Sequence, residues 1–99
     1  MESFAEREEF AEECRAMDNG TLTEEMKNYM RELIPLKRKV RRADVSPRTY
    51  SVARDEFRKY QMYVDVIKMV INENIAENPE HPKLKNFWKD YAEWLEEMV

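Results

Sequence analysis

The 99 residues of this chain are enough for one hydrophobic core and too few for two, and the abundance of helix-forming residues predicts an all-α domain. One glycine and four prolines leave little material for hairpin turns, which argues against β-rich folds, and a single cysteine excludes an intrachain disulfide. The net charge of −4 hides a segregation, with nine acids and two bases in residues 1–25, eleven bases and four acids in 26–59, and eight acids and four bases in 60–99.

The first helix is predicted to span Phe4 to Met17. Ser3 and Glu6 fit a capping box, which satisfies the unpaired amides at a helix start. Asn19-Gly20 provides the expected stop, because both residues tolerate the left-handed conformation that ends many helices.

The second helix is predicted to begin near Thr21 or Thr23, with Thr21 and Glu24 as a second capping box. Its apolar face is formed by Leu22, Met26, Tyr29, Met30 and Leu33. Pro35 should kink this helix, because its ring clashes with the carbonyl one turn back. The chain from 36 to 42 retains good helix formers and should continue as a bent second half.

The third helix, about 47–76, is the longest and the centre of the predicted fold. Ser46 is its expected N-cap, and Pro47 suits the first helical position. A core stripe recurs at spacings of three and four residues: Ala53, Phe57, Tyr60, Val64, Ile67 and Ile71. Between Tyr60 and Ile71 the polar residues form only a thin stripe, so this helix should be covered on most sides.

A linker over 78–82 should lead into a fourth helix that begins at Pro82. Its stripe is expected at Leu84, Trp88, Tyr91, Leu95 and Met98, with Phe87 and Trp94 on the flank. Short connections favour antiparallel neighbours, so the sequence predicts a four-helix up-down bundle. The central helix has more apolar surface than such a bundle needs. We therefore expect self-association, as a homodimer, or a partner surface at Tyr63, Val66, Val70 and Trp94.

The most distinctive local feature is a basic run that continues onto the third helix: Lys37, Arg38, Lys39, Arg41, Arg42 and Arg48. We interpret it as a partner-binding face. An acidic protein surface is one candidate partner. Nucleic acid, held by its phosphates along segment 37–59, is another, although the overall acidity disfavours it. A third interpretation is internal pairing with the glutamates of the first helix.

The sequence lacks a recognisable catalytic or cofactor-binding motif. Glutamate pairs in the first helix are not followed by a Glu-x-x-His motif, so we expect neither a metal nor another cofactor. Cys14 lies on an apolar stripe among acids and is predicted to be a packed core thiol. His81 lies in the proline linker, where it should be exposed and help to cap the fourth helix.

These features favour a small non-enzymatic protein–protein interaction module. Regulators, inhibitors and adaptors encoded by phages or bacteria have this size and composition, which is an analogy and not a motif. The acidic N-terminal residues do not resemble a secretory signal, and no apolar run approaches a membrane span. A cytoplasmic location is therefore expected.

Overall fold

The computed structural model describes residues 4–41 and 46–98, which form four α-helices and no strand. The helices are α1 (Phe4–Ala16), α2 (Asn19–Arg41), α3 (Pro47–Glu77) and α4 (Phe87–Met98). The all-α prediction is confirmed, and α3 is the longest helix, as expected. The capping residue Ser3 and the basic residue Arg42 lie outside the described residues.

The junction between α1 and α2 differs from the prediction. The first helix ends at Ala16 and α2 already begins at Asn19, so Asn19-Gly20 forms the first turn of α2 and does not terminate α1. The carboxylate of Asp18 explains the difference. It accepts hydrogen bonds from the backbone N–H of Thr21 at 2.7 Å and from the Thr21 hydroxyl at 3.1 Å. The predicted cap at Thr21 or Thr23 is wrong because Asp18 already takes the N-cap role.

Helix α2 continues through Pro35 to Arg41, as the sequence predicts for the residues beyond the proline. Its buried side chains follow the expected apolar face and extend it by one position: Leu22, Met26, Met30, Leu33 and Ile34. The predicted kink at Pro35 stays a prediction.

Helix α3 has the start that the sequence predicts. The hydroxyl oxygen of Ser46 accepts a hydrogen bond from the backbone N–H of Thr49 at 3.2 Å, and Pro47 is the first helical residue. Two sides of its second half are buried. One side carries Val64, Ile67 and Ile71, and the other carries Met62, Val66 and Val70. Neighbouring helices of the same chain thus cover α3 on most sides.

The fourth helix begins five residues later than predicted. Residues 82–86 form turns, and α4 starts at Phe87. The His81 carbonyl accepts hydrogen bonds from the backbone N–H groups of Leu84 and Lys85, which places Leu84 in the core ahead of the helix. The buried face of α4 consequently centres on Phe87, while Trp88, predicted on the apolar stripe, is 44% exposed.

The helices form a flat molecule of 47 × 33 × 16 Å. Helix α3 packs against α1 and α2, and α4 packs against α2. Two contacts show that α2 and α3 run in opposite directions, because Asn19 at the start of α2 bonds Asn74 near the end of α3, while Tyr29 contacts Tyr60 near the middle of both helices. The full up-down bundle arrangement stays a prediction.

None of the helices within 4–41 and 46–98 combines the length and the apolar character that crossing a membrane requires.

Candidate functional site

The described part of the predicted basic face lies at one end of the molecule. Lys37, Arg38, Lys39 and Arg41 occupy the last turns of α2, and Arg48 is the second residue of α3; all five are exposed. Because α2 ends where α3 begins, the structure brings these two parts of the basic run to the same end. The charge therefore accumulates on a helical hairpin.

The interpretation that the first helix neutralises this charge stays a prediction. Among the described residues, no ion pair joins Glu8, Glu9, Glu12 or Glu13 to Lys37, Lys39, Arg41 or Arg48. One ion pair of α1 lies at its other end, where Arg15 binds both carboxylate oxygens of Glu73 at 3.1 Å. This pair is half-exposed and lowers the pKa of Glu73, chiefly through the side-chain hydrogen bond.

Two of the four residues predicted to form an oligomer or partner surface lie in the core instead. Val66 and Val70 have no exposed surface, and they belong to one core cluster with Ala11 and Cys14 of α1. Helix α1 covers this side of α3, so the second apolar stripe is satisfied within one chain.

The two aromatic members of that predicted surface lie in different places. Tyr63 is half-buried against Phe10, at 4.6 Å between ring centroids, and also contacts Tyr29 at 4.9 Å. Trp94 instead contacts Phe87 within α4, and Lys27 of α2 lies 5.6 Å from its ring centroid. The structure therefore does not bring Trp94 together with Tyr63.

An open groove of about 1000 Å³ between α1 and α3 was not anticipated from the sequence. Phe10, Phe57, Met62 and Tyr63 supply its apolar part. Gln61 and charged side chains of both signs supply the remainder: Glu6, Arg7, Glu9, Glu13, Asp55, Arg58, Lys59 and Asp65. The mixture of signs favours no single class of charged ligand. In the sequence, this groove is indicated only by the charged residues that lie beside the apolar stripes of α1 and α3.

Cys14 is a packed thiol, as predicted. It is fully buried, and this burial, with smaller contributions from Glu13 and Glu25, raises its pKa to about 11. The thiol is therefore protonated at neutral pH, and its sulfur is not available as a thiolate nucleophile.

His81 has a local structural role. Its Nδ1 accepts a hydrogen bond from the backbone N–H of Lys83 at 3.1 Å. The bond stabilises the turn before α4 and does not cap α4 itself, which corrects the prediction. Within 4–41 and 46–98 there is no group of three or more His, Cys, Asp and Glu side chains placed to hold a metal ion.

Helix α4 is amphipathic and packs against α2 and α3 through its aromatic side chains. Lys68 of α3 lies 4.9 Å from the ring centroid of Tyr91, and Lys27 of α2 lies over Trp94. Two lysines from the two supporting helices thus contact the aromatic rings of α4. A cavity of about 230 Å³ lies between the three helices and is lined by Leu33, Ile34, Tyr91 and Leu95, with Lys37 at its edge.

Comparison with known protein families, with curated proteins and with solved structures finds no significant match to this chain.

Proposed function

We propose that this chain is a small non-enzymatic α-helical protein–protein interaction module, on a four-helix up-down frame, that acts as a regulator, inhibitor or adaptor in the cytoplasm. The observation that carries the proposal is the concentration of exposed cations at the α2–α3 end. Lys37, Lys39, Arg41 and Arg48 are exposed there, and among the described residues none of them takes part in an ion pair. Charges that are not paired with carboxylates of their own fold are available to a partner.

A protein partner fits this end better than nucleic acid does. Exposed apolar side chains accompany the cations, with Tyr50 and Val52 at 39% and 54% exposure. Tyrosine beside basic side chains is typical of protein interfaces, which need apolar anchors as well as charge. The chain also carries a net charge of −4, which repels a polyanion outside the basic end.

Affinity capture from a lysate of the source cells tests the proposal. The immobilised chain is incubated with and without nuclease, and the retained material is identified by mass spectrometry and nucleic-acid staining. We expect one specific protein to survive nuclease treatment. Its loss from a variant in which Lys37, Lys39, Arg41 and Arg48 are replaced by serine would link it to the basic end.

The alternative function is nucleic-acid association through the basic segment 37–59. The same exposed cations favour it, because phosphates bind lysine and arginine without regard to sequence. This alternative predicts that binding to a labelled duplex falls steeply with salt concentration and is abolished by charge reversal at Arg41 and Arg48. Retained material that disappears on nuclease treatment would support the alternative and contradict the protein–protein proposal.

Self-association is a separate expectation, and two residues of the surface predicted for it, Val66 and Val70, are buried. A homodimer would have to use other exposed apolar side chains, such as Phe4, Val52 or Trp88. Light scattering at high micromolar concentration measures the solution mass and tests this expectation. A monomeric mass would contradict self-association and would leave the proposal of a different protein partner unchanged.

A further inference from the structure

Helix α4 is shorter than the two helices that support it. It has 12 residues, whereas α2 has 23 and α3 has 31. Near its C-terminal end, Leu95 shares a cavity with Leu33 and Ile34, and Lys37 lies at the edge of that cavity. The α2–α3 pair extends beyond this point, so α4 covers only part of the face on which it lies.

The uncovered part of that face can be located by helical register. At 3.6 residues per turn, Lys37 and Arg41 fall within about 60° of Met30 and Ile34, the side of α2 that lines the α4 cavity. On α3, Tyr50 and Arg54 fall within about 60° of Lys68, which contacts Tyr91 of α4. We call the surface formed by Lys37, Arg41, Tyr50 and Arg54 the basic groove.

The chemistry of the basic groove is cationic and aromatic. Arg54 lies 5.9 Å from the ring centroid of Tyr50, and its buried Nε has no hydrogen-bond partner. Within 4–41 and 46–98, neither Lys37 nor Arg41 nor Arg54 forms an ion pair with a carboxylate. The groove therefore offers three cations and an exposed ring to a ligand.

Helix α4 is an example of a segment that packs on this face of α2 and α3. It carries one lysine against four carboxylates, and its aromatic side chains lie under lysines from α2 and α3. The basic groove continues the same two helix faces with more positive charge and less apolar surface.

We propose that the basic groove binds an acidic amphipathic helix of a partner protein, seated in line with α4 and anchored by an aromatic or aliphatic side chain against Tyr50. This inference rests on the proposed interaction function and adds the partner's chemistry and the residues that recognise it. About two helical turns fit along the roughly 10 Å between Tyr50 and Phe57 on α3, so the contact is short and depends on charge.

A labelled designed peptide tests the inference. The probe is a fluorescein-labelled helix of about 14 residues, with leucine and tryptophan on one face and glutamates on the other. A second peptide of the same pattern carries lysines in place of the glutamates. Fluorescence anisotropy with the full chain at about 150 mM salt should show binding of the acidic peptide and no binding of the basic one.

Two charge-matched variants separate the groove from general electrostatics. Lys37→Glu with Arg41→Glu reverses two charges in the groove and should weaken peptide binding at least about tenfold. Lys83→Glu with Lys85→Glu makes the same charge change in the exposed turn before α4, near Gly20 at the opposite end of α2, and should change the affinity by about twofold or less. Tyr50→Ala should weaken binding by about fivefold, through the lost apolar anchor.

Several results would overturn the inference. If the acidic peptide does not bind, an acidic helix is not the ligand. If both charge-reversal variants lose the same peptide affinity, the groove is not the binding site. A labelled duplex that competes with the peptide and binds more tightly would assign the surface to nucleic acid. Circular dichroism confirms that each variant is folded, and Lys37→Ala with Arg41→Ala replaces the glutamate variant if it is not.

The inference and the proposed function fail in different ways. A protein captured from lysate that binds the groove variant and the wild-type chain equally well would sustain the interaction module and contradict this site. Absence of any captured protein would contradict the proposed function, whatever the peptide shows.

Discussion

The two halves of α3 show how one helix can be core at one end and surface at the other. Val66 and Val52 are the same residue type, 14 positions apart, and lie on the same side of the helix. Val66 is fully buried, whereas Val52 is 54% exposed. The difference arises from the neighbours, because α1 packs over Val66 and leaves Val52 uncovered.

This comparison shows that the lengths of α1 and α4 determine which part of α3 is surface. The covered half carries the hydrophobic core, so changes there should affect stability. The uncovered half carries exposed cations and apolar side chains, so changes there should affect binding.

The largest effect is expected for Val66→Asp. A carboxylate at this position would be buried without a partner, so we expect the free energy of unfolding to fall by about 3–5 kcal/mol. Urea denaturation followed by circular dichroism measures this change.

Val52→Asp is the matched control, with the same substitution in the same helix. It should change the free energy of unfolding by no more than about 0.5 kcal/mol, because the side chain is more than half exposed. Equal destabilisation by the two substitutions would show that the halves of α3 are covered alike. A Val66→Asp variant that stays as stable as wild type but changes from dimer to monomer would restore the originally predicted surface.

A second large effect is expected at the start of α4. Phe87 is buried and contacts Trp88, Tyr91 and Trp94. Phe87→Ala should therefore cost about 3 kcal/mol, through lost burial and the cavity left behind. Thermal and urea denaturation provide the measurement.

The neighbouring Trp88→Ala substitution serves as the control. This ring is 44% exposed, so its removal should cost about 1 kcal/mol or less. If Trp88→Ala is more destabilising than Phe87→Ala, then α4 packs through the predicted stripe that includes Trp88, and not through Phe87.

The sequence predicted the parts of this fold that depend on local chemistry. Ser46 and Pro47 begin α3 as expected, because capping involves only residues within one turn. The burial of Cys14 also followed from its own helical stripe. Such features need no knowledge of how distant helices pack.

Features that depend on distant helices were predicted poorly. Val66 and Val70 were assigned to a partner surface because the sequence does not show that α1 covers the second stripe of α3. The sequence likewise indicated only the charge of the basic groove, because the position of α4 determines which faces of α2 and α3 are exposed. At Asn19-Gly20 the error was local, because the nearby Asp18 carboxylate is the stronger capping group.

A smaller effect is expected for Ser46→Ala. The substitution removes the hydroxyl that accepts from the N–H of Thr49 at the uncovered end of α3. Loss of an N-cap costs about 1 kcal/mol in helices held by tertiary contacts. Here the first turns have few such contacts, so we expect the global free energy of unfolding to fall by less than that.

Hydrogen exchange distinguishes local from global loss at this cap. Amides near Thr49 and Tyr50 should exchange faster in the Ser46→Ala variant, while those of the covered half keep their protection. Uniformly faster exchange along α3 would show that the two halves unfold together and would contradict the division.

The smallest effect is a pH dependence at the Asp18 cap. Hydrogen bonds from the backbone N–H and the hydroxyl of Thr21 lower the pKa of Asp18 below its ordinary value. A carboxylate whose folded pKa is depressed contributes stability above its unfolded pKa, and that contribution is lost as the pH falls through the folded pKa. Asp18→Asn retains a capping oxygen but does not titrate. Urea midpoints measured from about pH 6 down to about pH 2 should therefore fall further for the wild-type chain than for the variant. Parallel curves would show that Asp18 is not ionised as the cap of α2, and the start of α2 would then depend on Thr21 or Thr23, as the sequence first indicated.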